Sequence, residues 1–490
     1  MSRPAANSAR PLYTRLAAQA ARTPDALALQ AGERALSYRD LLALADHTAQ
    51  AWQAQGLAEA SLVGWLGHNT PEMLAALLAC ARLGAVWVPL NWRLAAPELA
   101  AIARHAGLSA LLNTPDQQPL ADAVRALAPC AGPQLPPQPG DAMLVYTSGS
   151  TGEPKGALHT QAGLCANIDA AISVQGLVAT DRVLAVLPMF HVGGLCIQVL
   201  PALACGATVL LQPRFEAGAW LRAVASARPS VSLLVPAAMQ AVLAHPGWPV
   251  ADLSALRFVN SGSQVVPLAL IEAFHARGLP VSQVYGCTET GPVSLALRPE
   301  DALAHPGSVG RPAPGVRLRL MAAPGRLAAA GEVGEIQLQA PNLMRAYHRQ
   351  APGSGFCDGW FATGDLARQG PGGWVSVVGR STDLIISGGE NIFPAEIENL
   401  ASRWPGVADA CVVGLPDARW GEVPVLVLVA QPGRSIDVDG LRALCQRQLA
   451  GFKQPRRILL QGSLPRTALG KLQKAVLVAA LWPDLPAPDQ

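Results

Sequence analysis

Charge is scarce in this chain: Asp, Glu, Lys and Arg make up 14% of its 490 residues, against about 25% in an ordinary globular protein. With half of the residues hydrophobic, that excludes an intrinsically disordered protein, whose charge is high and apolar content low. Net charge is scarce as well. The 37 basic and 34 acidic side chains leave +3, too even for a nucleic-acid binder working through its overall field. The nine cysteines are odd in number and none has Cys-x-x-Cys spacing, which argues against a disulfide framework or a structural zinc site and for a reducing, cytoplasmic setting. Lysine is rarest of all, at positions 155, 453, 471 and 474 only, beside 33 arginines. A GC-rich genome explains the arginines. Lysine is a compact point charge and arginine a planar fork, so the four retained lysines point to places where the difference matters.

Long uninterrupted apolar runs are also missing. Met1–Arg15 carries three arginines with no apolar run behind them, so no secretory leader is expected. Residues 183–213 contain no Asp, Glu, Lys or Arg, a length that can span a bilayer. Pro188, Gly193, Gly194, Pro201 and Gly206 punctuate the stretch, however. It reads as strand 183–187, loop, helix 195–204 and strand 207–211, as in a buried parallel sheet, with no transmembrane segment.

What is present is alternation. At roughly 150 residues per domain the length predicts about three units, and no period of roughly 20–50 residues indicates a solenoid. Up to about residue 300 helical and strand-like segments alternate: helix 71–83, strand 85–89, strand 230–235, helix 237–244, strand 258–260, helix 268–277. After about residue 305 short alternating strands at 316–320, 334–339 and 373–378 stand among glycines. Helix 394–402, strands 408–413 and 423–429 and helix 438–449 follow. The fold class is therefore α/β: a large body with a small β-barrel-like part, then a small α+β tail.

Five segments carry the chemistry. A strand ending near Val145 leads into Tyr146, Thr147, Ser148, Gly149, Ser150, Thr151 and Gly152, then Lys155 and Gly156. Small and hydroxyl residues expose backbone N–H groups and hydroxyls to a polyphosphate, and a lysine neutralises it. The spacing is not that of the Walker loop, which places Gly directly before Lys and Ser or Thr after it. Tyr285-Gly286-Cys287-Thr288-Glu289 offers a ring for a base, a hydroxyl for phosphate and a carboxylate for Mg2+; alone, it is more readily a turn with a solvated Glu. Asp365, after Thr363-Gly364, can accept from both hydroxyls of a ribose; alone, it is more often a turn residue. Residues 379–398 combine a charged joint, an apolar strand, the Gly388-Gly389 turn and a helix start, and residues 464–474 put Lys471 and Lys474 on a glycine-containing loop.

In this order, from Tyr38 to Lys474, the segments resemble the adenylate-forming superfamily of acyl-CoA synthetases, non-ribosomal adenylation domains and beetle luciferases. The resemblance implies an N-terminal domain over residues 1–379, a hinge at 380–383 with Asp383 as pivot, and a C-terminal lid domain over 384–490. It implies ATP binding by Thr147–Gly152, Lys155, Tyr285, Gly286, Thr288, Asp365, Arg380 and Lys471, with Mg2+ on Glu289. Lys471, Lys155, Thr288, Glu289 and His191 are the implied catalytic residues. The expected activity is an AMP-forming acid–thiol ligase, in which a carboxylic acid becomes an acyl adenylate and is passed to coenzyme A. Ser381-Thr382 stand where many members carry charged residues, a small departure at the hinge.

For the acid, the resemblance puts His191, Ser261, Gly262, Ser263, Gln264 and Gly286 at the acyl pocket. Amino-acid-activating members usually place an Asp in the loop that is here Pro188–Gly194. A buried ammonium without a partner is costly, so an amino acid is disfavoured. A medium- or long-chain fatty acid is the leading expectation, with aryl acids and o-succinylbenzoate as alternatives. Ser387, Gly388, Gly389, Trp420 and Phe452 are expected at coenzyme A; an acyl-adenylate ligase loading a carrier protein is the other acceptor reading. The expected partner is a small carboxylic acid and no nucleic acid, with a homodimer left open.

Overall fold

The computed structural model describes residues 11–132, 137–147, 154–323, 325–351, 353–417, 419–466 and 472–481. Two mainly parallel sheets come first. In the nine-stranded one, Thr208–Leu211, Arg182–Ala185, Val231–Leu233, Phe258–Gly262 and Val281–Tyr285 lie side by side in parallel. In the six-stranded one, Ala110–Asn113, Leu62–Leu66, Val86–Leu90 and Asp141–Thr147 are parallel, and Lys155–Thr160 and Ala346–Tyr347 add antiparallel strands at the edge. Strands covered on both faces have no polar side to show, and every residue of Leu62–Leu66 and Val86–Leu90 is buried.

Between these sheets runs a helical layer of Pro11–Arg22, Tyr38–Ala54, Pro71–Leu83 and Gln161–Gln175. It shares one core with Trp65, Trp87 and Met143 of the smaller sheet and Leu29, Val183 and Phe258 of the larger. Helix Pro71–Leu83 shows why the prediction of its bounds is met. Thr70 accepts from Met73 N at 3.2 Å, Pro71 opens the first turn, and Gly84 closes the last with φ +77°, the residue types that start and stop helices. Its buried leucines each contribute about 1.5–3 kcal/mol of transfer free energy. Helices Ala217–Ala227, Pro236–Ala244 and Leu268–His275 cover the far face of the nine-stranded sheet. Helices Ala96–Ala106 and Gln118–Leu127 cover that of the smaller sheet.

The uncharged stretch 183–213 supplies two neighbouring strands of the larger sheet, Arg182–Ala185 and Thr208–Leu211, and no described helix is long and apolar enough to cross a membrane. The expected helix 195–204 differs in detail: helix Val192–Gly194 leads into a π turn, Leu195–Val199, before helix Leu200–Cys205. Buried side-chain amides explain the wider turn, since Asn167 Nδ2 donates to Cys196 O at 2.8 Å and Gln175 Nε2 to Ile197 O at 2.7 Å. Such turns concentrate at functional sites.

The third sheet is antiparallel and spans Arg317–Ala323 to Val375–Arg380. Its strand Val333–Gln339 alternates buried and half-buried residues, as one-sided covering demands. The fourth contains Ile385–Ser387, Glu390–Ile392, Val407–Asp417, Gly421–Ala430 and Arg457–Gln461. Helices Pro394–Ala401 and Val438–Gln448 pack on one of its faces, and Lys474–Leu481 on the other. The chain is thus a large α/β part followed by a smaller α+β part.

Candidate active site

In open parallel sheets ligands bind beyond the carboxyl ends of the strands, and that is where the predicted segments emerge. Asp141–Thr147 leads to residue 148, Arg182–Ala185 to Pro188–Gly194, Phe258–Gly262 to Ser263 and Gln264, and Val281–Tyr285 to a tight turn at Thr288–Thr290.

Tyr285 is the last residue of its strand. Its Oη donates to Asp365 Oδ2 at 2.8 Å and lies 3.2 Å from Thr363 Oγ1. Asp365 Oδ1 holds Arg380 Nε at 2.9 Å, and the two residues face each other in the ladder between Trp360–Gln369 and Val375–Arg380. Thr363 Oγ1 accepts from Asp365 N at 3.1 Å, and Glu335 Oε1 accepts from Gly364 N at 3.1 Å. Burial, then the Asp365 carboxylate, holds the Tyr285 phenol well above its usual pKa, so it remains a donor at neutral pH. Gly286 has no room for a side chain, because a Cβ there would lie 1.8 Å from Pro292 O.

Glu289 Oε1 accepts the Tyr347 hydroxyl at 2.8 Å, and its carbonyl accepts from Met344 N at 2.7 Å. Tyr347 pairs with Ala157 in the ladder, and His348 N donates to Gly156 O at 2.7 Å. These bonds bring Glu289 to the pair of strands in which Thr147 stands opposite Lys155. Under them lies the His159 ring, fully buried against the backbone of Thr288; burial lowers its pKa to about 4.

The loop bearing His191 is pinned by Asn69, which donates to Leu187 O at 2.9 Å and Gln212 O at 3.1 Å and accepts from Met189 N at 2.9 Å. The His191 ring packs 4.4 Å from that of Phe190, and its Nε2 is shielded without a hydrogen-bond partner. Burial first, then the Arg93 charge, pushes its pKa down to about 3, so the imidazole is neutral. A Cβ on Gly193 would meet Ser263 Oγ at 3.7 Å and Ile197 Cδ1 at 4.0 Å, which sets this loop against the end of Phe258–Gly262. Along that strand successive side chains alternate: Asn260 and Gly262 share one face, Ser261 the other.

In the last sheet Ser387 pairs with Glu390 across Gly388 and Gly389, whose φ values are +59° and +86°. Gly388 N donates to Trp420 O at 2.7 Å, and a Cβ at 388 would come within 2.7 Å of the Trp420 ring. The guanidinium carbons of Arg419 and Arg456 lie 4.8 and 5.6 Å from that ring's centre. Trp420 and Phe452 are both exposed. A short turn, Ser381–Asp383, joins this sheet to the third.

Comparison with known proteins agrees with this layout. The model of the AMP-binding enzyme family matches residues 16–348, and that of the AMP-binding enzyme C-terminal domain matches residues 396–471. The chain is an AMP-binding enzyme. It is 43% identical over 485 residues to the indoleacetate–CoA ligase of Aromatoleum aromaticum, covering 92% of this chain and 94% of that one. It is 39% identical over 467 residues to a feruloyl-CoA synthase of an Amycolatopsis species, covering 92% and 95%. Among solved structures it is similar to an anthranilate CoA ligase in complex with anthranoyl-AMP, with a TM-score of 0.90, 26% identity and coverage of 97% and 98%. This AMP-binding enzyme accordingly falls in the acyl-CoA synthetase branch of the adenylate-forming superfamily, as an AMP-forming acid–thiol ligase.

Of the residues predicted for ATP in this enzyme, the structure joins Tyr285, Asp365 and Arg380 directly and ties Glu289 to the strands of Thr147 and Lys155. Ser148, Gly149, Ser150, Thr151, Gly152 and Lys471 lie outside the described residues. The pointer from lysine scarcity is corrected at two of its four positions. Lys453 Nζ sits 2.8 Å from Glu396 Oε2 and Lys474 Nζ 3.0 Å from Glu398 Oε1, so these amines are taken up by acids of helix Pro394–Ala401. Sequence reasoning missed Asn69, Tyr347, Glu335 and Arg456. Each is isolated in the sequence from the segment it serves, and only the fold supplies the neighbour; Arg419, by contrast, adjoins Trp420 in the chain.

Proposed function

We propose that this ligase activates an aryl acid, forming aryl-AMP with release of pyrophosphate and then aryl-CoA with release of AMP. The observation that carries the reading is the 43% identity to an indoleacetate–CoA ligase across 92% of the chain; the 39% identical feruloyl-CoA synthase supports it. The loop beside the acid fits: Phe190 and a neutral His191, with no carboxylate between Pro188 and Gly194. The expected medium- or long-chain fatty acid draws less support, since both of these relatives are named for aryl acids.

In this reading residues 1–379 bind ATP and the acid, 380–383 form the hinge with Asp383 as pivot, and 384–490 form the lid. Asp365, oriented by Arg380 and Tyr285, accepts from the ribose. Thr147–Gly152 and Lys155 surround the phosphates with donors, and Lys471 offsets the repulsion between carboxylate and α-phosphate as charge builds at phosphorus. Thr288 adds a hydroxyl there. His191, Gly262, Ser263, Gln264 and Gly286 border the acid, with Ser261 behind them. Ser387, Gly388, Gly389, Trp420 and Phe452 receive coenzyme A, with Arg419 and Arg456 beside its phosphates. Glu289 suits Mg2+, which keeps most of its waters and takes one or two carboxylates together with substrate phosphates. No cluster of three or more His, Cys, Asp or Glu able to hold a metal occurs among the described residues. Bound there, Mg2+ would supply neutralisation of phosphate charge.

The test is acid-dependent pyrophosphate release, with and without coenzyme A, across indole-3-acetate, ferulate, benzoate, o-succinylbenzoate and saturated fatty acids. Aryl acids are expected to lead, with a thioester formed. A fatty acid leading the panel overturns the aryl reading. Release that coenzyme A does not accelerate, with no thioester, overturns the acceptor and favours a carrier protein.

A further inference from the structure

Helix Gln161–Gln175, the π turn Leu195–Val199 and strand Phe258–Gly262 bury four side-chain amides against one another. Two of them are satisfied. Asn167 donates to Cys196 O and accepts from Val293 N at 3.0 Å. Gln175 donates to Ile197 O and to Ala171 O at 3.1 Å. Its Oε1 accepts from Asn260 Nδ2 and, at 3.4 Å, from Gln198 Nε2. That arrangement turns the other two amides so that their nitrogens are engaged and their oxygens are not: Asn260 Oδ1 and Gln198 Oε1 have no donor. Both residues are almost wholly buried, at 0% and 2% exposure.

A buried carbonyl oxygen without a donor is costly, and native proteins leave few of them. Here two occur together and within the acid site's own segments. Gln198 lies seven residues after His191 in the same continuous segment, and Asn260 shares its strand face with Gly262, two residues before it. The two segments run close together between those ends, where a Cβ on Gly193 would meet Ser263 Oγ at 3.7 Å. His191 marks one end of the region, and two unmet acceptors mark the other.

We propose that Asn260 and Gln198 are the specificity-determining residues of the acid site, forming an acceptor floor that selects aryl acids whose ring carries an N–H or O–H donor remote from the carboxylate. The inference rests on the aryl-acid reading and deepens it. A site built to hydrogen-bond a substrate donor rejects the same shape lacking that donor far more strongly than an apolar pocket rejects a missing methylene, because the acceptors are then buried unpaired.

The experiment compares indole-3-acetate with benzothiophene-3-acetate, which keeps the ring shape and replaces N–H by sulfur, in acid-dependent ATP–pyrophosphate exchange. The wild-type enzyme is expected to favour the indole acid by about 10-fold or more in kcat/KM. In Gln198→Met and Asn260→Leu, which keep volume and remove the acceptor, that ratio is expected to fall toward one. The change should come through KM for the indole acid, with KM for ATP held. Asn260→Leu also loses its bond to Gln175; if it does not fold, Gln198→Met decides alone. A wild-type ratio near one, or a ratio that survives both substitutions, overturns the proposal and leaves the acceptors to buried water. If neither ring acid drives exchange while a saturated fatty acid does, the aryl reading itself fails, a result distinct from either of those.

Discussion

Asp365 meets three neighbours through three different atoms: Tyr285 at Oδ2, Arg380 at Oδ1 and Thr363 at the backbone N–H. A side chain held so firmly can make its proposed contact with a ribose without losing rotamer freedom at the moment of binding. Asp365→Asn is expected to raise KM for ATP about 10- to 100-fold, the size of one hydrogen bond to a charged group, with KM for the acid little changed. An unaltered ATP dependence of pyrophosphate release would remove Asp365 from the ribose site. His159 supplies a prediction of another kind. Its pKa is near 6.5 in an unfolded chain and about 4 in the fold, with burial the main cause. Below pH 6.5 the unfolded chain takes up a proton that the native one refuses. The stability this group contributes is therefore complete above pH 6.5 and is lost as pH falls from 6.5 to 4, at up to about 1.4 kcal/mol per pH unit. Urea unfolding at pH 7, 6 and 5 should show a shallower decline for His159→Gln than for the wild type; parallel declines would refute the assignment.

Elements, more than single residues, were what the sequence made readable. Helix Pro71–Leu83 was predicted to the residue because its cap, its proline and its terminal glycine are all local signals. Strand 258–260 was predicted short, and it runs to Gly262, since nothing nearby in the sequence announces that Ser261 and Gly262 still pair with Gln283 and Val284. The π turn after His191 was not foreseen at all. Its cause is a set of amides 29 and 22 residues away, on another helix, and periodicity cannot register a partner at that distance. The same holds for Asn69, whose bonds to Leu187, Met189 and Gln212 reach more than 100 residues along the chain. Asn69→Ala strips three hydrogen bonds from the segment leading to His191. It is expected to cost about 2–4 kcal/mol of stability, two or three buried bonds' worth, and to raise KM for the acid more than KM for ATP. Equal effects on the two substrates would show that Asn69 supports the fold in general and not this loop.

At the scale of the molecule, two chemical steps have to share one nucleotide, and the α+β tail carries groups proposed for both. Coenzyme A is proposed to meet Trp420 and the Gly388-Gly389 turn, while the segment with Lys471 lies between Arg466 and Leu472, which are joined by a β-bridge. In the proposed reading one tail serves both steps by rotating at 380–383, a hinge transition. Lys471→Ala should accordingly abolish acyl-adenylate formation, by at least about 100-fold as for other groups that stabilise developing charge. Thiol transfer from a supplied acyl adenylate should be left largely intact. Equal loss of both half-reactions would assign Lys471 another role. The sequence suggests this proposed division through motif order alone; side-chain directions inside the larger part, on which the choice of acid depends, are not legible in sequence.

The ion pairs of the tail bear on a hazard built into the chemistry. An enzyme that makes mixed anhydrides releases an electrophile beside its own surface, and free amines are its natural victims. Of the four lysines, Lys453 and Lys474 are each engaged by a glutamate of helix Pro394–Ala401; at Lys474 burial, the largest single influence, lowers the pKa, and Glu398 together with Cys411 and Asp383 raises it above its ordinary value. An ammonium clasped by a carboxylate has no lone pair to offer. Acylation of Lys474 by the enzyme's own product is thereby disfavoured.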